Sequence, residues 1–503
     1  PIIGVVVMIV SSLVVGTAYP LVIQKFIVDP NAQRQEAEYI QRNINATKAA
    51  YGLENVETTN YDATTKTAAG QLEKDAESTT SIRLLDPGLI SPTFQQVQQN
   101  KQYYSFANRL NVDRYKVDST SRDTVIAVRE LNLSGLGEQQ QTWVNEHTVY
   151  THGYGVVNAY GNTVATRGYP SFWEGGIPSQ GDLGKYEPRI YFGQSSPSYS
   201  IVGGKDNGSP RELDYPDDES KTGQVNTTFA GNGGPSVSNP FNRLLYAAKF
   251  REANILFSQE VREGSQILYD PAKRVAKVAP WLTLDNSPYP AVVDHDDNPA
   301  TPKRVMWIVD GYTTTNNYPY AQHESLAKAT ATADNKGGLL RAPEESNYVR
   351  NSVKAVVDAY DGSVRLFRWD DQDPILRTWE KIYPGSVEPM SAISGDLMSH
   401  LRYPEDMFKV QRDLLTSYHV RDASDFYTGG VRWRLAEETS TAATANGAST
   451  ATMSSSQQQA VRVQPPYYLT MQMPGQQSAE FSLTSVFVPG GESKREAMAG
   501  FLA

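Results

Sequence analysis

Cysteine is absent from this 503-residue chain. Its absence excludes disulfides, thiolate nucleophiles, zinc ribbons and iron–sulfur clusters, and it leaves the redox compartment open, because a chain without thiols suits either environment. Clustered positive charge is also missing. Lys and Arg number 46 against 56 Asp and Glu, a net charge of −10 with no basic block longer than two residues, which argues against a nucleic-acid partner, since such partners are held by clustered cations. No Gly-x-Ser-x-Gly elbow, phosphate loop or dinucleotide fingerprint occurs, and "GNGG" at Gly231 to Gly234 lacks the lysine of a phosphate cradle.

What is present begins at the first residue. Pro1 to Ile23, "PIIGVVVMIVSSLVVGTAYPLVI", carries no charge, and as a helix rising 1.5 Å per residue it reaches about 35 Å, enough to cross a hydrocarbon core. We read it as a transmembrane helix rather than a signal peptide, which would open with methionine and a basic stretch and close on a small-residue cleavage site. The proline start further suggests a piece of a longer chain. Lys25 and Arg34 alone would lean the following segment towards the cytoplasm, but the positive-inside rule compares two flanks.

By length scaling the chain suggests about three or four units. Asn31 to Leu53 has helical spacing, residues 54 to 80 read as polar loop, and Ser91-Pro92 offers a cap and first turn for a helix towards Tyr104. "DTVIAVREL" from Asp123 reads as a strand, and "RIYFG" and "SYSIVG" as a hairpin joined by "QSSP". Asn239-Pro240 opens a strongly amphipathic helix with Phe241, Leu244, Leu245 and Ala248 at i, i+3, i+4 and i+7, with more helix expected towards Leu268. "YPAVVD", "RVMWIVDGYTTT", "SVKAVVDAY" and "SVRLFRW" predict one sheet, the last two joined by the tight-turn dipeptide Asp361-Gly362. Helices are expected again at Asp373-Pro374 and Tyr403-Pro404, the second burying Met407, Val410, Leu414 and Leu415. Glu438 to Gln459 has little that can pack, and a second hairpin closes the chain.

Several stretches together resemble a known group: "SSLVVGTAYPLVIQKFIVDPNAQRQEAEYIQRNI", "TWVNEHTVYTHGYGVV", "KVAPWLTLDNSPYPAVVD", "WIVDGYTTTNNYPYAQ", "NYVRNSVKAVVDAYDGSV" and "HLRYPEDMFKVQRDLL". They are similar to the signature segments of an uncharacterised protein family of actinobacterial multi-pass membrane proteins, in the same order along nearly the whole chain. The resemblance implies a bundle of about seven spans of which the first helix here is the last, a large domain outside the cytoplasm, and a continuation beyond Ala503. It implies no activity and transfers no site residues. The fold class expected is therefore α+β: one transmembrane helix followed by a large mixed extracytoplasmic domain with antiparallel hairpins and amphipathic helices. The divisions are 1–28, transmembrane helix; 29–90, juxtamembrane helix and loop; 91–437, extracytoplasmic domain; 438–462, low-complexity linker; and 463–503, C-terminal hairpin.

Two groups are candidates for metal. His147 and His152, in "NEHTVYTHGYG", are five apart, about 140° from each other on a helix and on opposite faces of a strand, so hydrogen-bonded histidines in a packed knot are the favoured reading. Asp294, Asp296 and Asp297, in "DHDDNP", crowd carboxylates into a loop that Ca²⁺ would suit, but they lack an EF-hand's glycine and terminal glutamate, and a solvated acidic turn is favoured. The 29 tyrosines supply either sheet cores or aromatic faces for sugars and protein partners. No cofactor and no catalytic residue is assigned. The expectation is an integral protein of the cell membrane, its large domain outside the cytoplasm and binding a partner protein, lipid or wall polymer. The alternative is an envelope hydrolase or transferase acting on a glycan or lipid, with or without Ca²⁺.

Overall fold

The computed structural model describes residues 2–61, 70, 82–117, 120–205, 209–332, 339, 342–438, 463–473, 476–491, 495 and 497–503. The linker read at 438–462 lies outside them but for residue 438, as does much of the loop read at 54–80.

Helix α1 (Ile2–Gln35) is long and apolar enough to cross a membrane. Every side chain from Ile2 to Val22 is exposed, and a helix apolar on all sides needs protein or lipid around it. Pro20 has no N–H to donate; the helix widens into π-turns at Val14–Ala18 and Gln24–Val28 on either side of it, which relieves the clash of the ring with the preceding turn. Helix α2 (Ala37–Ala50) buries Ile44, Thr47 and Ala50. In α3 (Ser91–Gln98), Ser91 is the first helical residue and not the expected cap, because its hydroxyl donates to the Ala107 carbonyl at 2.6 Å instead.

Strands β1 (Asn111–Val117), β2 (Thr120–Val128), β3 (Val156–Val164) and β4 (Pro170–Gly175) form an antiparallel sheet in that order, extended by Gln180–Gly181. The hairpin expected across "QSSP" does not form. Arg189–Ile190 pairs with Gly153–Tyr154, and β5 (Tyr199–Gly203) pairs with β6 (Ser265–Tyr269). The backbone N–H of Ser195 in the linking segment donates to Glu130, which fixes the link and leaves the two strands to separate partners. Between β5 and β6 lie α4 (Pro240–Phe250), capped by the Asn239 side chain, and the single turn α5 (Asn254–Phe257). The expected longer helix gives way to β6, whose β-branched and aromatic residues find a ladder.

The second sheet contains β7 (Tyr289–Val293), β8 (Lys303–Thr315), β9 (Tyr348–Asp358) and β10 (Val364–Arg368), all antiparallel, with Thr283–Leu284 and a parallel Tyr186–Glu187 also on β8. The four runs read from sequence thus share one sheet. Gly362, in the turn between β9 and β10, has a φ of 70°, and a Cβ there would lie 2.5 Å from the Phe192 ring, so the turn needs glycine twice over. Asp373 caps α6 (Pro374–Ile382), accepting from the N–H groups of Ile375 and Leu376 and from the hydroxyls of Thr313, Ser352 and Tyr348. Then come α7 (Gly395–His400), α8 (Glu405–Tyr418) and the antiparallel pair β11 (Tyr467–Met471) and β12 (Glu480–Pro489).

Alternation along β8 sets the layers. Val305, Trp307 and Val309 share a core with Tyr115, Ile126, Val128 and Val156 of the first sheet, while Met306 and Ile308 pack on Leu397 and Leu401. This is the two-residue period of a strand buried on both faces, and each large apolar side chain so buried contributes about 1.5–3 kcal/mol. Helix α8 packs between α2 and the far ends of β8 and β9, through Met407, Val410, Leu414 and Leu415.

Candidate functional site

Where the two sheets, the start of α8 and β11 converge there is a cleft of about 530 Å³. Trp307 enters it from β8, where its backbone pairs with Pro290 and Val357. Arg402 comes from the α7–α8 link, Glu405 is the first residue of α8, Tyr467 and Tyr468 open β11, and Glu130 lies on a two-residue strand after β2. A second hollow, about 80 Å³, shares Gln194, Asn286, Pro288 and Trp307 with the cleft and is lined by Asp285.

The charges around the cleft are held in defined states. Glu405 accepts from Arg109 Nη1 at 2.7 Å and Lys409 Nζ at 2.9 Å. Burial disfavours its carboxylate, but these two cations outweigh that and hold its pKa well below the usual range. Arg402 lies over the rings of Tyr289 and Tyr468, 3.9 and 4.4 Å from their centroids. Its Nη1 and Nη2 donate to Val112 O and Asn111 Oδ1. Its Nε, and Nε1 of Trp307, which is only 5% exposed, are buried donors with no hydrogen-bond partner among the described residues. Such groups cost about 1–3 kcal/mol each when left unmet.

Glu130 behaves oppositely to Glu405. Burial pushes its carboxyl up to about 7, against the opposing effect of the N–H groups of Ser195 and Gln194. The Ser195 N–H lies 2.5 Å from its Oε2, and the approach depends on Gly193, where a Cβ would sit 2.5 Å from the same oxygen. In the inner hollow, Asp285 accepts from the Tyr312 hydroxyl at 2.6 Å and from the N–H groups of Ser287 and Asp406. Burial, with Asp406 and Asp310 nearby, pushes its carboxyl well above the usual range. Lys354, buried behind the cleft, bonds Asp310 and, at 3.0 Å, the Arg402 carbonyl.

The residues singled out from sequence lie elsewhere. His147, on the π-turn Asn145–Val149, stacks on Tyr199 at 4.0 Å, and its Nδ1 is 2.9 Å from the Tyr199 carbonyl. Burial lowers its pKa. His152 is fully buried against the Tyr191 ring, with Nδ1 3.0 Å from the Thr151 hydroxyl and Nε2 3.6 Å from Asp214, which Arg189 grips with two 2.8 Å bonds. Each histidine therefore has its own neighbourhood. Asp294 accepts from Asn298 N, Asp296 from the Thr301 hydroxyl at 2.9 Å, and Asp297 from Gly395 N, all within one turn and its contact with α7. The Thr301 bond lowers the pKa of Asp296. Among the described residues no group of three or more His, Asp or Glu is gathered for a metal ion. Sequence reasoning missed Glu130, Trp307, Arg402 and Glu405; the available signal was charge at positions that the apolar periodicity assigns to the interior, as in "VREL" and "EDMFK".

A family model described as "Uncharacterised protein family (UPF0182)" matches residues 1–503. The chain is 51% identical over 513 residues to the UPF0182 protein BL1029 of Bifidobacterium longum, which covers 100% of this chain and 46% of that protein. It is 52% identical over 503 residues to a UPF0182 protein of Bifidobacterium adolescentis, covering 98% of this chain and 44% of the relative. To the UPF0182 protein TW644 of Tropheryma whipplei it is 49% identical over 512 residues, covering 100% and 52%. The chain thus spans about half the length of the curated relatives it matches. No solved structure matches.

Proposed function

For this chain, which belongs to the uncharacterised UPF0182 family, we propose a membrane-anchored protein of the cell envelope whose large domain lies outside the cytoplasm and binds a hydroxyl-rich wall polymer in the cleft. Helix α1, apolar and exposed along its length, supports the anchor. The observation that carries the binding reading is the cleft of about 530 Å³ itself, whose lining joins aromatic side chains, Trp307 and Tyr467, to Arg109, Glu130 and Glu405. Aromatic faces cover the apolar side of a sugar, and fixed donors and carboxylates take its hydroxyls. Tyr467→Ala removes a part-exposed ring from the lining. Calorimetric titration of the detergent-solubilised protein with oligosaccharides released from actinobacterial wall polymer should give saturable binding, about ten-fold weaker in the variant. No binding by the wild type, or equal binding by both, would reject the reading.

One observation favours the alternative of an envelope hydrolase or transferase: Glu130, held near pH 7 in the cleft wall, is suited to give or take a proton at neutral pH. Release of shorter glycans by the wild type, abolished by Glu130→Gln, would select it.

A further inference from the structure

Helix α4 has two apolar faces, and the protein uses one of them. Successive helical residues turn by about 100°, so Phe241, Leu244, Leu245 and Ala248 fall within one sector, and Tyr246, Ala247 and Phe250 fall within a sector roughly opposite. The second group packs on Tyr199, Ile201, Val237, Ile267 and Tyr269. The first faces out: Phe241 is 68% exposed, Leu244 55%, Leu245 50%, and Phe257 of the adjoining α5 is 81% exposed. An ordinary surface helix has one apolar stripe against the core and a polar face in water. Here the expected polar face is replaced by two phenylalanines and two leucines.

We propose that this outward face is a second membrane contact, seated in the interfacial region of an anionic phospholipid bilayer. Two features select lipid over a protein occupant. Between Pro240 and Phe257 the one carboxylate is Glu252, against Arg243, Lys249 and Arg251. Lys249 and Arg251 are exposed beside the apolar stripe, so a chain of net charge −10 presents a cationic island there, as interfacial helices do. The patch is also small: four large side chains and an alanine amount to something on the order of 500 Å², short of the roughly 800 Å² per partner of a standard protein interface. The proposal rests on α1 being a membrane anchor, which would hold the domain at the bilayer and raise the effective concentration of lipid around α4.

The lack of native cysteine makes the test direct. Single substitutions Leu244→Cys and Leu245→Cys, each carrying an environment-sensitive fluorophore, are reconstituted in vesicles of phosphatidylcholine and phosphatidylglycerol, with Val10→Cys on α1 and Lys221→Cys on an exposed turn as references. The α4 probes should shift to the blue and lose about half of their emission or more to lipids spin-labelled on the acyl chain, while the Lys221→Cys probe stays unquenched. Quenching at Val10→Cys with none at either α4 position would overturn the proposal and leave the anchor standing. Absence of quenching at all of them would overturn both. Shielding of the α4 probes from aqueous iodide in the same vesicles, without quenching by the spin-labelled lipids, would assign the face to a protein and also overturn it.

Discussion

Replacing Glu130 by glutamine removes a charge that the fold holds against its burial. The carboxyl is 5% exposed and is raised from its ordinary 4.5 to about 7. Between those values the folded chain binds a proton that the unfolded chain has released, so stability falls as pH rises through the window. The penalty is absent below about 4.5 and complete above about 7. At about 1.4 kcal/mol per pH unit it reaches about 3 kcal/mol at pH 8. Glutamine keeps the shape and an acceptor for the Ser195 N–H, and the net shift already includes the loss of the stronger, charged bond. Glu130→Gln should therefore be about 3 kcal/mol more stable than wild type at pH 8 and about equal to it at pH 4.5. Urea unfolding of the detergent-solubilised protein, followed by tryptophan emission at both pH values, reads this directly. A variant that is destabilised equally at both pH values would refute the reasoning, because it would mean that Glu130 is a satisfied, ionised partner.

Glu405→Gln should do the opposite. It leaves Lys409, fully buried, paired with Asp406 at 3.2 Å, and loss of one member of a buried pair costs about 3–5 kcal/mol. Because the pKa of Glu405 is depressed, its contribution is present above about 4.5 and fades as pH falls further, so unfolding curves of the two proteins should be far apart at pH 7 and draw together in acid. His400, 2.8 Å from Asp113, behaves as a cation: burial disfavours the imidazolium, but Asp113 outweighs it and raises the pKa above 6.5. Its contribution, about 1–3 kcal/mol, is complete below 6.5 and lost as pH rises through the folded value. His400→Asn should therefore lose more stability relative to wild type at pH 6 than at pH 9.

The sheets and caps were legible because their determinants are local. The unbroken apolar run in "RVMWIV" and the Asp361-Gly362 turn define β8 to β10, and Asn239 and Asp373 each place a short acceptor before a proline that is ready for the first helical turn. The cleft was not legible, since its walls run from Arg83 to Tyr468 and meet only through pairing that short-range patterns do not encode. Helix α8 shows why. Its apolar stripe was read, but Glu405, Asp406, Lys409 and Arg412 are buried as well, because they neutralise one another and their neighbours. Helix α4 fails in the other direction: periodicity marks a stripe and is silent on what covers it. The "QSSP" hairpin was misread because β-rich runs adjacent in sequence found partners in Gly153–Tyr154 and β6.

Which side of the membrane the large domain occupies is tested most directly with a single cysteine. Lys221→Cys lies on the exposed turn between the paired segments Glu212–Pro216 and Gln224–Thr227, far in sequence from α1. In intact cells producing the protein, a membrane-impermeant maleimide should label it as fully as in broken cells. Labelling that appears only after the cells are broken would place the domain in the cytoplasm and contradict the envelope reading.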